Sequence, residues 1–352
     1  MSIRSCTVMA INRAAFGRLL AAAAFITLLL GGCTAKQSAA LIEEKPAAIT
    51  ATSQLNDVPF FPQLDYQCGP ASLAMVMNFV GVEVAPDALR RQLFIPGRQG
   101  SLQVEMQALP RRFGLLAYPL APRLIDIFKE IKAGHPVIVL QNLGLKVAPQ
   151  WHYAVVTGYD LNLQQVTLHS GDTQNYRMPL STFERTWVRG GSWAIVVSMA
   201  GSVPAGAREQ SYLRSAVNLE QEGQADAALK AYEAASKRWP NSLAAWMGLG
   251  NMRYAKIDLD GAAAAFDQAA KTHPDAAEPL NNLAQVRLEQ KQYDAAMQAI
   301  EQAVQLDGNS QLYQQTRSEV IRIRAAVTER PLSSPANVTV DNERVNQDNA
   351  LL

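Results

Sequence analysis

Three cysteines and four histidines in 352 residues leave little material for metal or redox chemistry. Neither type is spaced for ligation: there is no Cys-x-x-Cys pair, no His-Glu-x-x-His and no glycine-rich phosphate loop. No metal and no nucleotide cofactor is called for. His135, His169 and His273 lack acidic or cysteine neighbours at ligand spacing, and His135, just before Pro136, reads as a turn residue. Charge of one sign is scarce as well. With 32 basic against 31 acidic residues the net charge is +1, and no basic cluster interleaved with aromatics occurs, which argues against a nucleic-acid partner. Long apolar runs are also missing. The strongly apolar stretch at residues 19–30 has about 12 residues, short for a bilayer span and suited to the apolar region of an export signal.

Arg4, Arg13 and Arg18 precede that stretch, and Leu30-Gly31-Gly32-Cys33 ends it. The tetrapeptide resembles a bacterial lipoprotein box, which implies a signal peptide over residues 1–32, cleavage before Cys33 and a diacylglycerol on its thiol. Cys6 would be discarded. A chain sent to the envelope in this way meets an oxidising compartment with one thiol left, Cys68, which has no partner for an intrachain disulfide. Thr34 rather than Asp follows Cys33, which by the usual bacterial sorting implies a lipid-anchored protein at the outer membrane, facing the periplasm. Residues 33–53, rich in Ala, Ser, Thr and Lys, read as a flexible tether.

Two segments carry chemistry. In Gln67-Cys68-Gly69-Pro70-Ala71-Ser72-Leu73-Ala74-Met75, Gly69 and Pro70 permit a tight turn into an apolar helix with Cys68 at its start. In Trp151-His152-Tyr153-Ala154-Val155-Val156-Thr157-Gly158-Tyr159-Asp160, a histidine opens an apolar strand. A thiol attacks a carbonyl as its thiolate, so a neighbouring imidazole and a positive helix end would both serve it and draw its pKa down. The bland readings are a small buried hydrophobe for Cys68 and a satisfied core residue for His152.

Over roughly residues 57–199 the pair of motifs resembles the papain-like cysteine peptidases of the bacteriocin-leader-processing, double-glycine type. The resemblance implies Cys68 as nucleophile, His152 as base and then acid, and Gln63, five residues ahead of Cys68, as an oxyanion-hole donor beside the Cys68 backbone N–H. Gln67 is a rival for that last role. It also implies an aspartate at the end of the next strand to orient the imidazole; Ser170 stands at that position. Asp172, two residues on, and Asn142 are the other candidates for the orienting group. Other thiol acyl transfers by the same machinery remain open, and so does a module that binds peptide without cutting it.

Between and after the motifs, helices at residues 86–93, 102–113 and 124–133 give way to Val- and Ile-rich strands at 136–141, 153–159, 165–169 and 193–198, with a short helix at 180–187. This order is the α+β order of papain-like folds, over residues 54–200. A Gly/Pro linker near Gly201, Pro204 and Gly206 follows. Pro240, Pro274 and Gly308 then recur at a spacing of 34, and the middle unit carries Trp246, Leu249, Gly250, Ala262, Phe266 and Ala269 in the tetratricopeptide pattern. Tyr212, Ala216, Ala228, Tyr232 and Ala235 mark a first copy, and Leu280, Leu283, Ala284, Ala296, Ile300 and Ala303 a third. Residues 208–327 therefore read as about three repeats stacked in a curved all-α superhelix that holds a peptide or partner protein. An envelope assembly scaffold, with the thiol domain ancillary, is the competing reading. The polar residues 328–352 read as a disordered tail.

Overall fold

The computed structural model of the chain describes residues 35–63, 67–93 and 100–328. The signal segment, Cys33 and the tail from residue 329 lie outside the described residues. The chain divides into two compact units, one ending at Pro240 and one starting at Asn241. Together they give an α+β domain built on an antiparallel sheet, followed by an all-helical repeat array.

In the first unit the sheet is assembled from β2 (Leu115–Pro119), β3 (Val137–Asn142), β4 (Trp151–Asp160), β5 (Gln165–Ser170), β6 (Thr173–Pro179) and β7 (Ala194–Met199). Their spatial order is β2, β7, β3, β4, β5, β6, and β1 (Thr52–Gln54) pairs with the far end of β4. The inner strands are Val- and Ile-rich runs; all six residues of β3 are buried, as a strand covered on both faces requires. One cover is α2 (Cys68–Phe79), whose residues from Gly69 to Met77 are all buried. A helix apolar all round belongs inside a core. Leu73, Met75 and Met77 are fully buried with Ile138, Leu140, Tyr153, Val155 and Ile195 of the sheet, each such side chain contributing about 1.5–3 kcal/mol. α3 (Pro86–Leu93) and α4 (Gln103–Arg112) pack around α2, while α5 (Leu124–Lys132) lies against β3 and β4, and α6 (Leu180–Arg189) against β3 with the ends of β5 and β6.

The helices and strands that the sequence pattern marks are present, and besides the short β1 three further elements join them. β2 is a five-residue apolar stretch that ends on a proline, and β6 is a polar edge strand with one buried residue, Met178. Neither shows a clear period of two. The third is α1 (Lys36–Glu44), inside the segment read as a tether. Its backbone N–H groups at Gln37 and Ser38 donate to the buried Glu184 carboxylate of α6 at 2.9 and 2.7 Å, and Ser38 and Leu41 are buried. Residues 35–54 are therefore docked structure. A carboxylate from another helix supplies the N-terminal acceptor that α1 itself lacks, and composition alone gives no sign of it.

The division at Pro240 also differs from the linker-based boundary. α7 (Glu209–Gln221) and α8 (Ala225–Arg238), the first repeat, pack on β2. Ser215 Oγ donates to the Ala117 carbonyl at 3.2 Å and the Arg208 N–H to Tyr118 Oη at 3.0 Å. Tyr212, fully buried, donates its hydroxyl to the Ala200 carbonyl at 3.0 Å and packs on Trp239. The linker is itself pinned: the Gly206 N–H donates to Glu130, a buried carboxylate whose other oxygen meets His135 Nδ1 at 2.9 Å. His135 is thus the partner of a buried acid rather than a bare turn residue.

In the second unit α9 (Leu243–Ala255), α10 (Leu259–Thr272), α11 (Glu278–Glu289), α12 (Tyr293–Leu306) and α13 (Gln311–Thr328) pack as successive antiparallel pairs. Ala262, Phe266, Leu280, Leu283, Ala284, Ala296, Ile300 and Ala303, the repeat positions marked by the sequence, form its core. Ser242 and Asp258 cap α9 and α10.

Candidate active site

The site forms where β5 stops pairing with β4. The β4–β5 ladder ends at Val155↔His169, so the first residues of β4 keep a backbone edge that β5 does not use. On the other side they pair with β3, His152 opposite Gln141 and Tyr153 opposite Leu140. The Cys68 segment takes the vacant edge. The Tyr153 N–H points at the Cys68 sulfur, and the Tyr153 carbonyl accepts from Gln63 Nε2 at 3.3 Å. α2, which starts at Cys68, packs on β4, and Gln63 ties the two together at Tyr153, the neighbour of His152.

Cys68 opens α2, and its helix has no side-chain cap. The N–H groups of Cys68 and Gly69 are the orphan donors of the first turn and also point at the sulfur, while Pro70 has none to satisfy. Gly69 is required by crowding: a Cβ there would lie 2.7 Å from Ser101 Oγ and 2.8 Å from Ser101 Cβ. Two opposed effects act on the thiol. Burial pushes its pKa up, and the three N–H groups draw it down by less. Burial also pushes the His152 imidazole down. Both directions favour a resting pair of neutral thiol and neutral imidazole, opposite to what a helix start and a histidine alone suggest.

Gln63 is a hub. Its Nε2 donates to Ser72 Oγ at 3.2 Å as well as to Tyr153, its Oε1 accepts from the Gly171 N–H at 3.0 Å, and its own N–H reaches the Gly171 carbonyl at 2.9 Å. Both amide hydrogens have acceptors, so the side chain ties α2, β4 and the β5–β6 turn together. Gln67 is the half-buried residue before α2.

His152 Nε2 lies 2.8 Å from Ser170 Oγ. Asp172 does not reach the ring: it is exposed in the turn and its carboxylate accepts from the Thr173 hydroxyl at 3.0 Å. Nor does Asn142, which is buried and pins the β3–β4 hairpin by accepting from the Gly144 and Gln150 N–H groups, both at 3.0 Å. The turn through Gly171 follows the backbone of Gln63 and carries Asp172 outward.

Two neighbours carry no sequence signal of their own. Tyr153 is buried, donates its hydroxyl to the Ser101 carbonyl at 3.2 Å and packs edge-on against Trp193. Burial and the adjacent Cys68 sulfur push its phenol far up, so it stays protonated. His169 is buried, with Nε2 3.0 Å from the Val58 carbonyl and Nδ1 accepting from Asn175, and it holds the segment ahead of Gln63 against β5. On the hairpin entering β4, Leu145, Val147 and Trp151 are exposed, Trp151 at 58%.

Among the described residues no group of three His, Cys, Asp or Glu side chains could hold a metal ion, and no helix is long and apolar enough to cross a membrane. A cavity of about 380 Å³ beside α1, lined by Ile42, Ile49 and Leu161, contains none of these site residues.

The Peptidase_C39 like family matches residues 55–195, and the tetratricopeptide repeat family matches residues 213–264 and 254–310. No curated protein matches the chain. Among solved structures, a C39-like peptidase described as putative, from Bacillus anthracis, is 23% identical with a TM-score of 0.35, covering 42% of this chain and 96% of that one. The type III secretion chaperone SycD of Yersinia enterocolitica, in complex with a peptide of the translocator YopD, is 19% identical with a TM-score of 0.30, over 34% of this chain and 91% of that one. The Sgt2 tetratricopeptide domain of Aspergillus fumigatus is 17% identical with a TM-score of 0.34, over 38% of this chain and 89% of that one. The chain thus carries a C39-like peptidase domain and tetratricopeptide repeats.

Proposed function

We propose that the chain is a cysteine peptidase that cleaves peptide bonds through an acyl-enzyme on Cys68. The observation that carries this reading is the tie through Gln63 that holds the helix starting at Cys68 against β4 at Tyr153, next to His152. In the first step the Cys68 S–H proton passes to His152 as the sulfur bonds the carbonyl carbon, and the developing oxyanion meets the orphan N–H of Cys68 at the helix start. His152 then gives the proton to the leaving amine as the C–N bond breaks. In the second step His152 takes a proton from water as its oxygen bonds the acyl carbon, and returns it to Cys68 as the C–S bond breaks and the acid leaves. Gln63 acts by holding α2 on β4, since its amide hydrogens already have acceptors. Trp151, Leu145 and Val147 offer an apolar approach for the peptide, and the repeats hold the substrate protein or a partner and raise its local concentration.

In this reading Cys33 is acylated and holds the protein at the outer membrane, facing the periplasm. Only Thr34 separates Cys33 from Ala35, so the docking of α1 leaves little slack between lipid and enzyme. Incubation of the full chain with a peptide library, read by mass spectrometry, tests the activity: cleavage should occur with the wild type and vanish in Cys68→Ala. Cleavage that survives in Cys68→Ala refutes the assignment. Labelling with a fatty-acid analogue that persists in Cys33→Ser would refute the anchor.

A further inference from the structure

The ring of His152 is held by a hydroxyl. Ser170 Oγ lies 2.8 Å from Nε2, at the last residue of β5, just where the β5–β6 pairing shifts register between Leu168 and Ser170. That irregularity brings Ser170 to the imidazole and sends Asp172 into solvent. Among the described residues no charged group takes its place around the ring. Asp172 is turned to Thr173, Arg189 of α6 donates to the Asn142 carbonyl at 3.1 Å, His169 is fixed to Val58, and α2 brings only Cys68. Burial moves His152 below its usual range.

We propose that Ser170 is the positioning residue of His152, an uncharged substitute for an orienting carboxylate. The hydroxyl fixes the plane of the ring, and in the tautomer where it accepts from Nε2–H the Nδ1 lone pair is free for the thiol proton. A hydroxyl orients the ring without stabilising the imidazolium, which a carboxylate would do. The proton therefore moves in concert with attack rather than beforehand, and a free enzyme in an oxidising compartment keeps a poorly nucleophilic thiol. The proposal deepens the peptidase reading and rests on it, but the coupling between Ser170 and the ring can be read separately.

The test is made on the full chain with 15N-labelled histidine, His152 being assigned by its loss in His152→Ala, and with iodoacetamide labelling of Cys68 across pH. In the wild type the ring should titrate below the usual imidazole range, and labelling should climb with pH through and beyond the ~8.5 of a free thiol. The sign follows from the shifts: a raised thiol gains its thiolate only at higher pH. Ser170→Asp should raise the ring's midpoint by about 1–3 units and increase labelling at pH 6 by about tenfold or more. Ser170→Thr should match the wild type, and Ser170→Ala should lose the fixed tautomer without gaining the acid limb. If Asp and Ala both leave the ring signals and the labelling profile unchanged, the proposal is overturned. A normal Ser170 series alongside cleavage that survives in Cys68→Ala would instead retire the peptidase reading and leave the coupling standing.

Discussion

Gly69→Ala tests how tightly Cys68, the proposed nucleophile, is placed. The new methyl would sit 2.7 Å from Ser101 Oγ, 2.8 Å from Ser101 Cβ and 3.3 Å from Met106 Sδ. Two of these contacts are below any tolerable separation, and one is to a Cβ that moves only with its backbone. Ser101 is further held by the bond its carbonyl accepts from Tyr153. Overpacking of this kind costs about 1–3 kcal/mol, against roughly 0.5–1 kcal/mol gained by removing a helical glycine, so the clash wins. For a unit of this size the melting temperature should fall by roughly 2–8 °C. The larger effect should be on the site, because relief comes by shifting the first turn of α2, and a displacement near 1 Å costs on the order of 100-fold in rate. Thermal melting by circular dichroism and Cys68-dependent peptide cleavage measure the two. Ser101→Gly removes both clashing atoms, and its hydroxyl has no partner to lose; the double variant should recover most of the activity. Full activity in Gly69→Ala, or no recovery with Ser101→Gly, would refute the reasoning.

Glu184→Ala removes the carboxylate that two N–H groups of α1 share and should cost about 2–4 kcal/mol locally. Hydrogen exchange over residues 36–44 should become fast while Cys68 labelling stays unchanged; continued protection of α1 would contradict its docking through Glu184. In the second unit, Gly250→Ala would set a methyl 2.4 Å from the ring of Phe266, itself 2% exposed, and should destabilise residues 241–328 by about 1–3 kcal/mol, read as faster exchange there than in the first unit. A fragment of residues 35–240 should melt cooperatively, whereas one of residues 35–200 strips Tyr212 and Ser215 from β2 and the end of β7 and should melt lower or aggregate. Equal melting of the two would return the boundary to the Gly201–Gly206 linker.

Local pattern suffices where a residue's task is set by its neighbours along the chain. The apolar run after Gly69-Pro70, the strand opened by His152 and the 34-residue period from Pro240 to Gly308 give the α+β class, the repeat array and the two candidate side chains Cys68 and His152, because helix and strand periods and glycine close packing are written in adjacent residues. Elements without such a period were hidden. β6 pairs at an edge with polar side chains, and α1 is stabilised by a carboxylate 146 residues further along, through Ser38.

The sequence by itself determined which chemical groups are present: one thiol and one histidine in motifs suited to acyl transfer, no metal-binding spacing, and a serine where an acid would be expected. Tertiary structure decided what those groups can do. Gln63 becomes a tie between α2, β4 and the β5–β6 turn because Ser72, Tyr153 and Gly171 converge on its amide. Asp172 is left in solvent and Ser170 reaches the imidazole because one strand shifts register beside it. Whether the thiol is raised or lowered depends on a balance of burial against three N–H groups drawn from α2 and β4. Such balances are sums over contacts between residues far apart in the chain, and only the folded arrangement brings them together.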